Sequence, residues 1–173
     1  MKYKLMIFDI DGVFTDGGIY YGSHDEVWRK FNTKDGLGIA LLKFAGITPI
    51  IITGKNSNSV SKRAEELHIN YVYQNIKNKQ KKLMQIVQKF KVEPSEIIYM
   101  GDDWNDFPAL EMVGLPICVN SAPDEIKKIC KFIPAREGGR GAVREAIEYI
   151  LKKEGLYKEA VEKFLLNLKR LEE

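Results

Sequence analysis

Five short apolar runs recur along the chain, and each is rich in β-branched or aromatic residues. They do not alternate with polar positions, a pattern typical of strands buried on both faces of a parallel sheet. The runs are KLMIF (4–8), ITPIII (47–52), INYVY (69–73), EIIYM (96–100) and LPICV (115–119). Segments with helical spacing lie near 35–46, 57–68, 78–91, 104–113, 123–130 and 140–154. This alternation predicts an α/β fold, a doubly wound parallel sheet with right-handed crossovers.

Two segments depart from this alternation. After the first run, Ile19–Tyr21 and Val27–Phe31 flank the turn-like GSHDE, so we expect a β-hairpin flap at about 18–32 instead of a crossover helix. A two-stranded ribbon is marginal by itself, so its aromatic side chains are expected to lie against another surface, such as a partner chain. Residues 156–173 predict a C-terminal helical extension that packs on the domain or on a neighbouring subunit. Its expected apolar face contains Leu156, Ala160, Phe164, Leu168 and Leu171.

Length, composition and charge exclude several classes of protein. The 173 residues suit one domain, so we expect a single domain over 1–173. A net charge of +3 without a dense basic tract predicts neither a nucleic-acid partner nor a membrane partner. No signal-peptide pattern is seen, and no apolar run approaches the roughly 20 residues of a membrane span. With only Cys118 and Cys130, both expected to be buried thiols, we expect a cytoplasmic location.

Polar residues end the apolar runs, and in an open parallel sheet the carboxyl ends of the strands meet at one edge, where ligands bind. We therefore expect these side chains to form one site. They are Asp9 and Asp11 after the first run, Thr53, Gly54 and Lys55 after the second, Asp102, Asp103 and Asp106 after the fourth, and Lys79 at the start of a helix.

This set of side chains points to phosphate chemistry. Crowded carboxylates without histidine or cysteine suit Mg²⁺, which keeps ligand positions for water and substrate phosphate. One carboxylate can attack the phosphorus, and a carboxyl group two residues on can protonate the leaving oxygen and then activate water. The Thr53 hydroxyl and backbone N–H, together with Lys79, are expected to stabilise the charge of the phosphoryl group.

Taken together and in order, DIDGVFTDG, ITGK, Lys79 and GDDWND resemble the four signature motifs of the haloacid dehalogenase superfamily of phosphohydrolases. The resemblance implies that Asp9 is the nucleophile and Asp11 the general acid/base. It also implies that Asp102 binds Mg²⁺ beside Asp9 and the backbone carbonyl of Asp11. Asp103 would be a second ligand or a neighbour of the ligands, and Asp106 an orienting partner.

The closer resemblance is to the capless branch of 3-deoxy-D-manno-octulosonate 8-phosphate phosphatases, and it extends to about residue 150. It is carried also by FNTKDGLGI and GGRGAVREAIEYIL, and the segments between the motifs are too short for a cap domain. The resemblance implies hydrolysis of a phosphorylated sugar acid through an aspartyl-phosphate, in lipopolysaccharide precursor synthesis. It also implies a homotetramer in which the hairpins pack together and subunit contacts help to close each site.

Several residues keep two interpretations. Asn32, Lys34 and Asp35 either contact substrate or form a turn and a helix cap. Arg140 and Arg144 contact substrate or an interface, or the glycine-rich segment around them is a simple loop. For the remaining polar and aromatic candidates we expect structural roles: His24, His68, Trp104 packed beside its loop, and Asp16 shaping the exit into the hairpin.

Lys55 stands where the octulosonate enzymes usually have arginine, and these two cations do not grasp a carboxylate or phosphate in the same way. Lysine there also resembles relatives that act on 2-keto-3-deoxynonulosonate 9-phosphate, so that substrate is the alternative. A non-enzymatic alternative is an oligomeric scaffold that keeps the fold. The intact acidic residues, Thr53 and Lys79 argue against a scaffold.

Overall fold

The computed structural model describes residues 2–23 and 27–170. Five parallel strands form the central sheet in the order β5-β4-β1-β6-β7, and β2 and β3 form a separate antiparallel pair. The strands are β1 (Leu5–Phe8), β2 (Tyr20–Tyr21), β3 (Val27–Trp28), β4 (Thr48–Ile52), β5 (Tyr71–Tyr73), β6 (Ile97–Gly101) and β7 (Leu115–Cys118). The helices are α1 (Thr33–Phe44), α2 (Asn58–Glu66), α3 (Lys79–Phe90), α4 (Phe107–Leu110), α5 (Asp124–Ile129), α6 (Ala142–Lys153) and α7 (Tyr157–Arg170). The predicted doubly wound α/β fold is confirmed.

Strand β1 lies at the centre of the sheet, between β4 and β6. Ile7 pairs with Ile50 on one side and with Tyr99 on the other. All residues of β1 are buried, and because successive side chains point to opposite faces, both faces of the sheet are covered. The chain moves from β1 to one side and later returns to the other, so the direction of strand order reverses at β1. In such sheets that reversal marks the ligand crevice.

The predicted hairpin is present after β1. Tyr20 pairs with Trp28 and Tyr21 with Val27. Residues 24–26 of the turn, with His24, lie outside the described residues. Side-chain exposure is 80% for Tyr21 and 58% for Trp28. Among the described residues between β1 and α1, the hairpin is the only regular structure, so the expectation of a capless fold agrees with the part that can be seen.

The C-terminal extension packs on the rest of the chain through α1. The rings of Phe44 and Phe164 meet edge to face with centroids 6.0 Å apart, and Ala160 is buried. The expected apolar face is wrong at Leu168, which is 42% exposed. Its neighbours Leu165 and Leu166 are exposed as well. Leu171 lies outside the described residues. Within the described residues, the leucines of the last turns of α7 are therefore largely exposed.

Candidate active site

Three acidic side chains converge at the carboxyl edge of the sheet. Asp9 directly follows β1, and Asp102 directly follows Gly101, the last residue of the adjacent strand β6. The Asp9 N–H donates to the Met100 carbonyl at 3.0 Å, so strand pairing continues to the edge of the site. Carboxylate oxygens of Asp9, Asp102 and Asp106 lie within 4.8 Å of one another. Neighbouring parallel strands therefore bring these groups together, as expected.

A buried lysine lies between two of these carboxylates. The Lys79 ammonium is 3.1 Å from Asp9 Oδ1 and 2.6 Å from Asp106 Oδ1. Lys79 is the first residue of α3, which Asn78 caps, so the helix start directs the ammonium into the site. Asp106 Oδ1 also accepts the Tyr99 hydroxyl at 2.7 Å, and its Oδ2 accepts the Asp102 N–H at 3.1 Å. Both oxygens of Asp106 are thus engaged, which fits an orienting role.

Tyr99 was missed by the sequence analysis, where it read as one more apolar residue of a buried strand. Its side chain is fully buried, and burial together with the nearby carboxylates raises the pKa of the phenol well above its usual value. The hydroxyl therefore keeps its proton and donates a hydrogen bond to Asp106 Oδ1. The signal was its position, two residues before the GDD motif in β6.

Burial and mutual repulsion perturb the acidic groups. Burial raises the pKa of Asp9 to about 6, with repulsion from Asp106 adding to it and Lys79 opposing it. Burial, then repulsion from Asp9 and Asp106, raises the pKa of Asp102 to about 8. Burial by itself would lower the pKa of Lys79, but attraction to the two carboxylates outweighs burial and raises it. One ammonium cannot balance three carboxylates, so this oxygen-only set fits a hard divalent cation such as Mg²⁺.

The loop that follows β1 approaches Asp102 closely. Gly12 has a φ of +83°, and a Cβ at this position would collide with the Asp102 carboxylate. Glycine is therefore required on both counts, by its backbone conformation and by the space available. The second residue of the GDD motif thus packs directly against the DIDG loop.

The strand-end residues share one open cavity of about 300 Å³. A cavity of this size and polarity suits a small polar molecule. Gly17, Ile19 of the hairpin and Asn105 line it as well, and none of them was expected there. The lining residues are Asp9, Asp11, Gly17, Ile19, Thr53, Gly54, Lys55, Asp102, Asp103 and Asn105.

The expected role of the Thr53 backbone N–H is wrong. Its N–H was expected to face a phosphoryl group, but it donates to the Tyr73 carbonyl at 2.9 Å as a continuation of the β4–β5 pairing. The Thr53 hydroxyl accepts the Lys55 N–H at 3.5 Å and keeps its own hydrogen for another acceptor. Thr53 can therefore offer its hydroxyl to a ligand in the cavity, while its backbone N–H is committed to the sheet.

Asp11 has a partner that sequence reasoning did not identify. Arg29, the residue after β3, donates from Nε to Asp11 Oδ1 at 2.7 Å and from Nη2 to Oδ2 at 3.3 Å. Its Nη1 donates to Ser57 Oγ at 2.8 Å. The only available signal in the sequence was an arginine directly after the apolar pair Val27–Trp28 of the hairpin.

Three candidate substrate contacts lie away from this cavity. Asn32 caps α1, where its Oδ1 accepts the Lys34 N–H at 2.8 Å. Lys34 lines a separate groove, together with Arg144. Arg140 is at the surface, paired with Glu137 at 3.3 Å. Within one chain, Asn32 therefore serves as a helix cap, which was one of its two interpretations.

The glycine-rich start of α6 already holds an anion from its own chain. Asp35 is fully buried, and its Oδ1 accepts the Arg144 N–H at 2.9 Å in the first turn of α6. The residue before the helix is Gly141, which has no side chain to cap it. Burial raises the pKa of Asp35, against the opposing N–H groups of α6. Asp35 thus caps a helix from a distance, and it does not line the cavity.

The remaining candidates are structural or exposed. Asp16 accepts the Gly18 N–H at 3.1 Å and shapes the entry to the hairpin, as expected. His68 follows α2 in the left-handed conformation, at φ 51°. The expectation that Trp104 packs beside its loop is wrong, since it is 64% exposed where its short helical turn projects from the sheet edge.

Both cysteines are free thiols, although Cys130 is only half-buried. Across the described part of the chain, no helix has the length and apolar character needed to span a membrane.

Comparisons with known proteins place the chain among phosphohydrolases. A family model described as haloacid dehalogenase-like hydrolase matches residues 71–147. The 3-deoxy-D-manno-octulosonate 8-phosphate phosphatase KdsC of Escherichia coli (strain K12) is 36% identical over 157 residues, 91% of this chain and 84% of that protein.

Solved structures agree. The 3-deoxy-D-manno-octulosonate 8-phosphate phosphatase from Moraxella catarrhalis, in complex with magnesium ion, phosphate ion and KDO, superposes with a TM-score of 0.91 at 36% identity, covering 94% of each chain. The cobalt-bound deoxy-D-mannose-octulosonate 8-phosphate phosphatase from Haemophilus influenzae gives a TM-score of 0.86 at 31% identity, covering 90% of this chain and 91% of the other.

Proposed function

Since the chain belongs to the 3-deoxy-D-manno-octulosonate 8-phosphate phosphatase family of haloacid dehalogenase-like hydrolases, we propose that it hydrolyses that sugar-acid phosphate. The products are the free sugar acid and phosphate, and the reaction serves lipopolysaccharide precursor synthesis. The observation that carries the proposal is the buried Asp9–Lys79–Asp106 group beside Asp102. Asp9 and Asp102 line the same cavity as Thr53 and Lys55.

The carboxylates of Asp9 and Asp102, with the backbone carbonyl of Asp11, would hold Mg²⁺. Asp106 is engaged with Lys79, Tyr99 and the Asp102 N–H, which leaves the other two carboxylates to face a cation. When bound, Mg²⁺ neutralises the carboxylate surplus and polarises the phosphoryl oxygens. Asp103 is exposed, and its Oδ1 accepts the Trp104 N–H at 2.8 Å, so we assign it to the rim of the site.

The reaction proceeds in two displacements at phosphorus. A carboxylate oxygen of Asp9 attacks the phosphorus, the bond from phosphorus to the sugar oxygen breaks, and Asp11 gives its proton to that oxygen. Water then attacks the phosphorus of the aspartyl-phosphate and gives a proton back to Asp11. Phosphate leaves and the Asp9 carboxylate is restored. Lys79, held 3.1 Å from Asp9 Oδ1, orients the nucleophile and lowers the negative charge around the phosphoryl group.

We propose a homotetramer in which the exposed hairpins pack together. The exposed aromatic side chains of Tyr21 and Trp28 support this arrangement. Since Asn32, Lys34 and Arg140 do not line the cavity of their own chain, their proposed substrate contacts require the cavity of a neighbouring subunit. The two free thiols support the proposed cytoplasmic location.

A panel of sugar-acid phosphates assayed for phosphate release with Mg²⁺ tests the function. We expect the eight-carbon 8-phosphate to give the highest kcat/KM, and Asp9→Asn to lower it by at least about 10³-fold. Asp124→Asn, an exposed carboxylate at the start of α5, is the matched control and should retain activity.

Two results contradict the proposal. A higher kcat/KM with 2-keto-3-deoxynonulosonate 9-phosphate would favour the alternative substrate suggested by Lys55. Equally slow phosphate release from every substrate by the wild type and by Asp9→Asn would leave only the scaffold.

A further inference from the structure

The hairpin reaches the candidate active site through the buried side chain of Arg29. This side chain is only 5% exposed, although the hairpin that carries it is largely in solvent, and the Asp11 side chain that it binds is 34% exposed. The guanidinium donates to both oxygens of Asp11. Such a two-pronged contact fixes the plane of a carboxylate as well as its distance, which a lysine ammonium cannot do.

Arg29 also contacts a third segment of the chain. Its Nη1 donates to Ser57 Oγ at 2.8 Å, and Ser57 Oγ lies 2.8 Å from Ser59 Oγ at the start of α2. One side chain therefore joins the hairpin, the loop after β1 and the segment that follows the TGK motif. Asp11 lies in a turn beyond the end of β1, so it lacks the strand pairing that holds Asp9. Its carboxyl group depends on side-chain contacts for its orientation.

We propose that Arg29 is a positioning residue that acts through Asp11. It holds the Asp11 carboxyl group where it gives a proton to the departing sugar oxygen and recovers one from the attacking water. The contact to Oδ2, at 3.3 Å, is longer than the contact to Oδ1, at 2.7 Å, so Oδ1 is the oxygen that Arg29 holds more closely. The inference rests on the proposed function and makes correct placement of the hairpin a requirement for proton transfer.

The nature of the leaving group separates this role from a merely structural one. The alkoxide that leaves a sugar phosphate is strongly basic and needs a proton as the bond breaks. Nitrophenolate is weakly basic and leaves p-nitrophenyl phosphate without one, so loss of general-acid catalysis affects it little. The parameter kcat/KM covers the steps up to departure of the leaving group, and therefore reports on this proton transfer for both substrates.

The test compares both substrates in the full-length protein with Mg²⁺, using wild type, Arg29→Ala, Arg29→Lys and the matched control Lys30→Ala, which removes an exposed charge from the next residue. For the sugar-acid phosphate, we expect Arg29→Ala to lower kcat/KM by about 30- to 300-fold, within the range of general acid catalysis. For p-nitrophenyl phosphate, the same variant should stay within about threefold of the wild type. Arg29→Lys should lower kcat/KM on the sugar-acid phosphate by only about three- to tenfold, because lysine keeps the positive charge but cannot donate to both carboxylate oxygens in the same way. Lys30→Ala should change neither value.

Four results overturn the inference. Equal loss on both substrates means that Arg29 only supports the fold, and an unchanged value on both means that Asp11 does not need it. If Arg29→Ala does not fold, Arg29→Lys provides the same comparison. A ratio of kcat/KM on the sugar-acid phosphate to kcat/KM on p-nitrophenyl phosphate that is the same in Arg29→Lys as in the wild type counts against the inference. A wild type that hydrolyses p-nitrophenyl phosphate but no sugar-acid phosphate contradicts the proposed function itself, and the inference with it.

Discussion

The acidic cluster and the hairpin lie next to each other but are built in opposite ways. Asp9, Lys79 and Asp106 are each at most 4% exposed and each is held by an ion pair from a regular element or its end. The hairpin has two-residue strands, and the side chain of Tyr21 is 80% exposed. The groups proposed to act on phosphorus thus lie at the buried ends of strands and helices, whereas the hairpin presents apolar surface that the single chain leaves in water.

The difference extends to the two aspartates of the DID motif. Asp9 is positioned by β1, because its N–H continues the strand pairing by donating to the Met100 carbonyl. Asp11, two residues on, is oriented by Arg29 from the hairpin. The proposed nucleophile therefore belongs to the rigid region, and the proposed acid/base group contacts both regions.

The largest effect on stability is expected from removing the Lys79 ammonium from the acidic cluster. Lys79→Met leaves Asp9 and Asp106 buried without their counter-charge, and loss of one partner from a buried ion pair costs about 3–5 kcal/mol. We expect the free energy of unfolding to fall by that amount in urea, with loss of activity. Lys81→Met, in the same helix but exposed, should stay within about 0.5 kcal/mol of the wild type. Equal stability of Lys79→Met and Lys81→Met would contradict the central role of this ion pair.

An intermediate effect is expected from pH and metal, acting on the cluster and not on the hairpin. Without metal, the folded-state pKa values of Asp9 and Asp102, about 6 and about 8, lie above the ordinary value of 3.8. The folded protein therefore holds protons that the unfolded chain releases, and its stability falls as pH rises from about 4 to about 8.

Thermal melting between about pH 5 and about pH 8, with a chelator or with Mg²⁺, measures this dependence. The chelated protein should lose stability towards the alkaline end, and Mg²⁺ should stabilise it most there, because a bound cation favours the ionised carboxylates. Asp102→Asn should reduce both effects. Stability that rises with pH in the presence of chelator would contradict the perturbed carboxylates.

The smallest effect on folding is expected in the hairpin. Tyr21→Ser removes an exposed ring, so the free energy of unfolding should change by less than about 0.5 kcal/mol. The proposed tetramer should nevertheless weaken, which sedimentation at several protein concentrations measures. Met84→Ser, an exposed apolar position on α3, should leave association unchanged. A sedimenting mass that is the same for wild type and Tyr21→Ser would argue against packing through the hairpins.

Several sequence predictions failed because they depended on the surroundings of a residue. Trp104 is an aromatic residue inside a motif, yet the short helical turn after β6 points it into solvent. The apolar period of α7 continued to Leu168, yet that residue is 42% exposed. For GGRGAVRE, which kept two interpretations, the surroundings also mattered: Asp35, more than a hundred residues earlier in the chain, accepts the Arg144 N–H in that helix start at 2.9 Å.

By itself the sequence determined the order of strands and helices, the hairpin, and the edge of the sheet to which Asp9, Thr53, Lys79 and Asp102 come. Each follows from local patterns and from the parallel direction of the strands, which needs no knowledge of distances. Only the tertiary structure decided that Tyr99 and Lys79 both donate hydrogen bonds to Asp106. It also decided that the Thr53 N–H pairs within the sheet and that Arg29 forms an ion pair with Asp11. Those contacts join residues far apart in the chain, and hydrogen bonds form only at distances and angles that the packed fold sets.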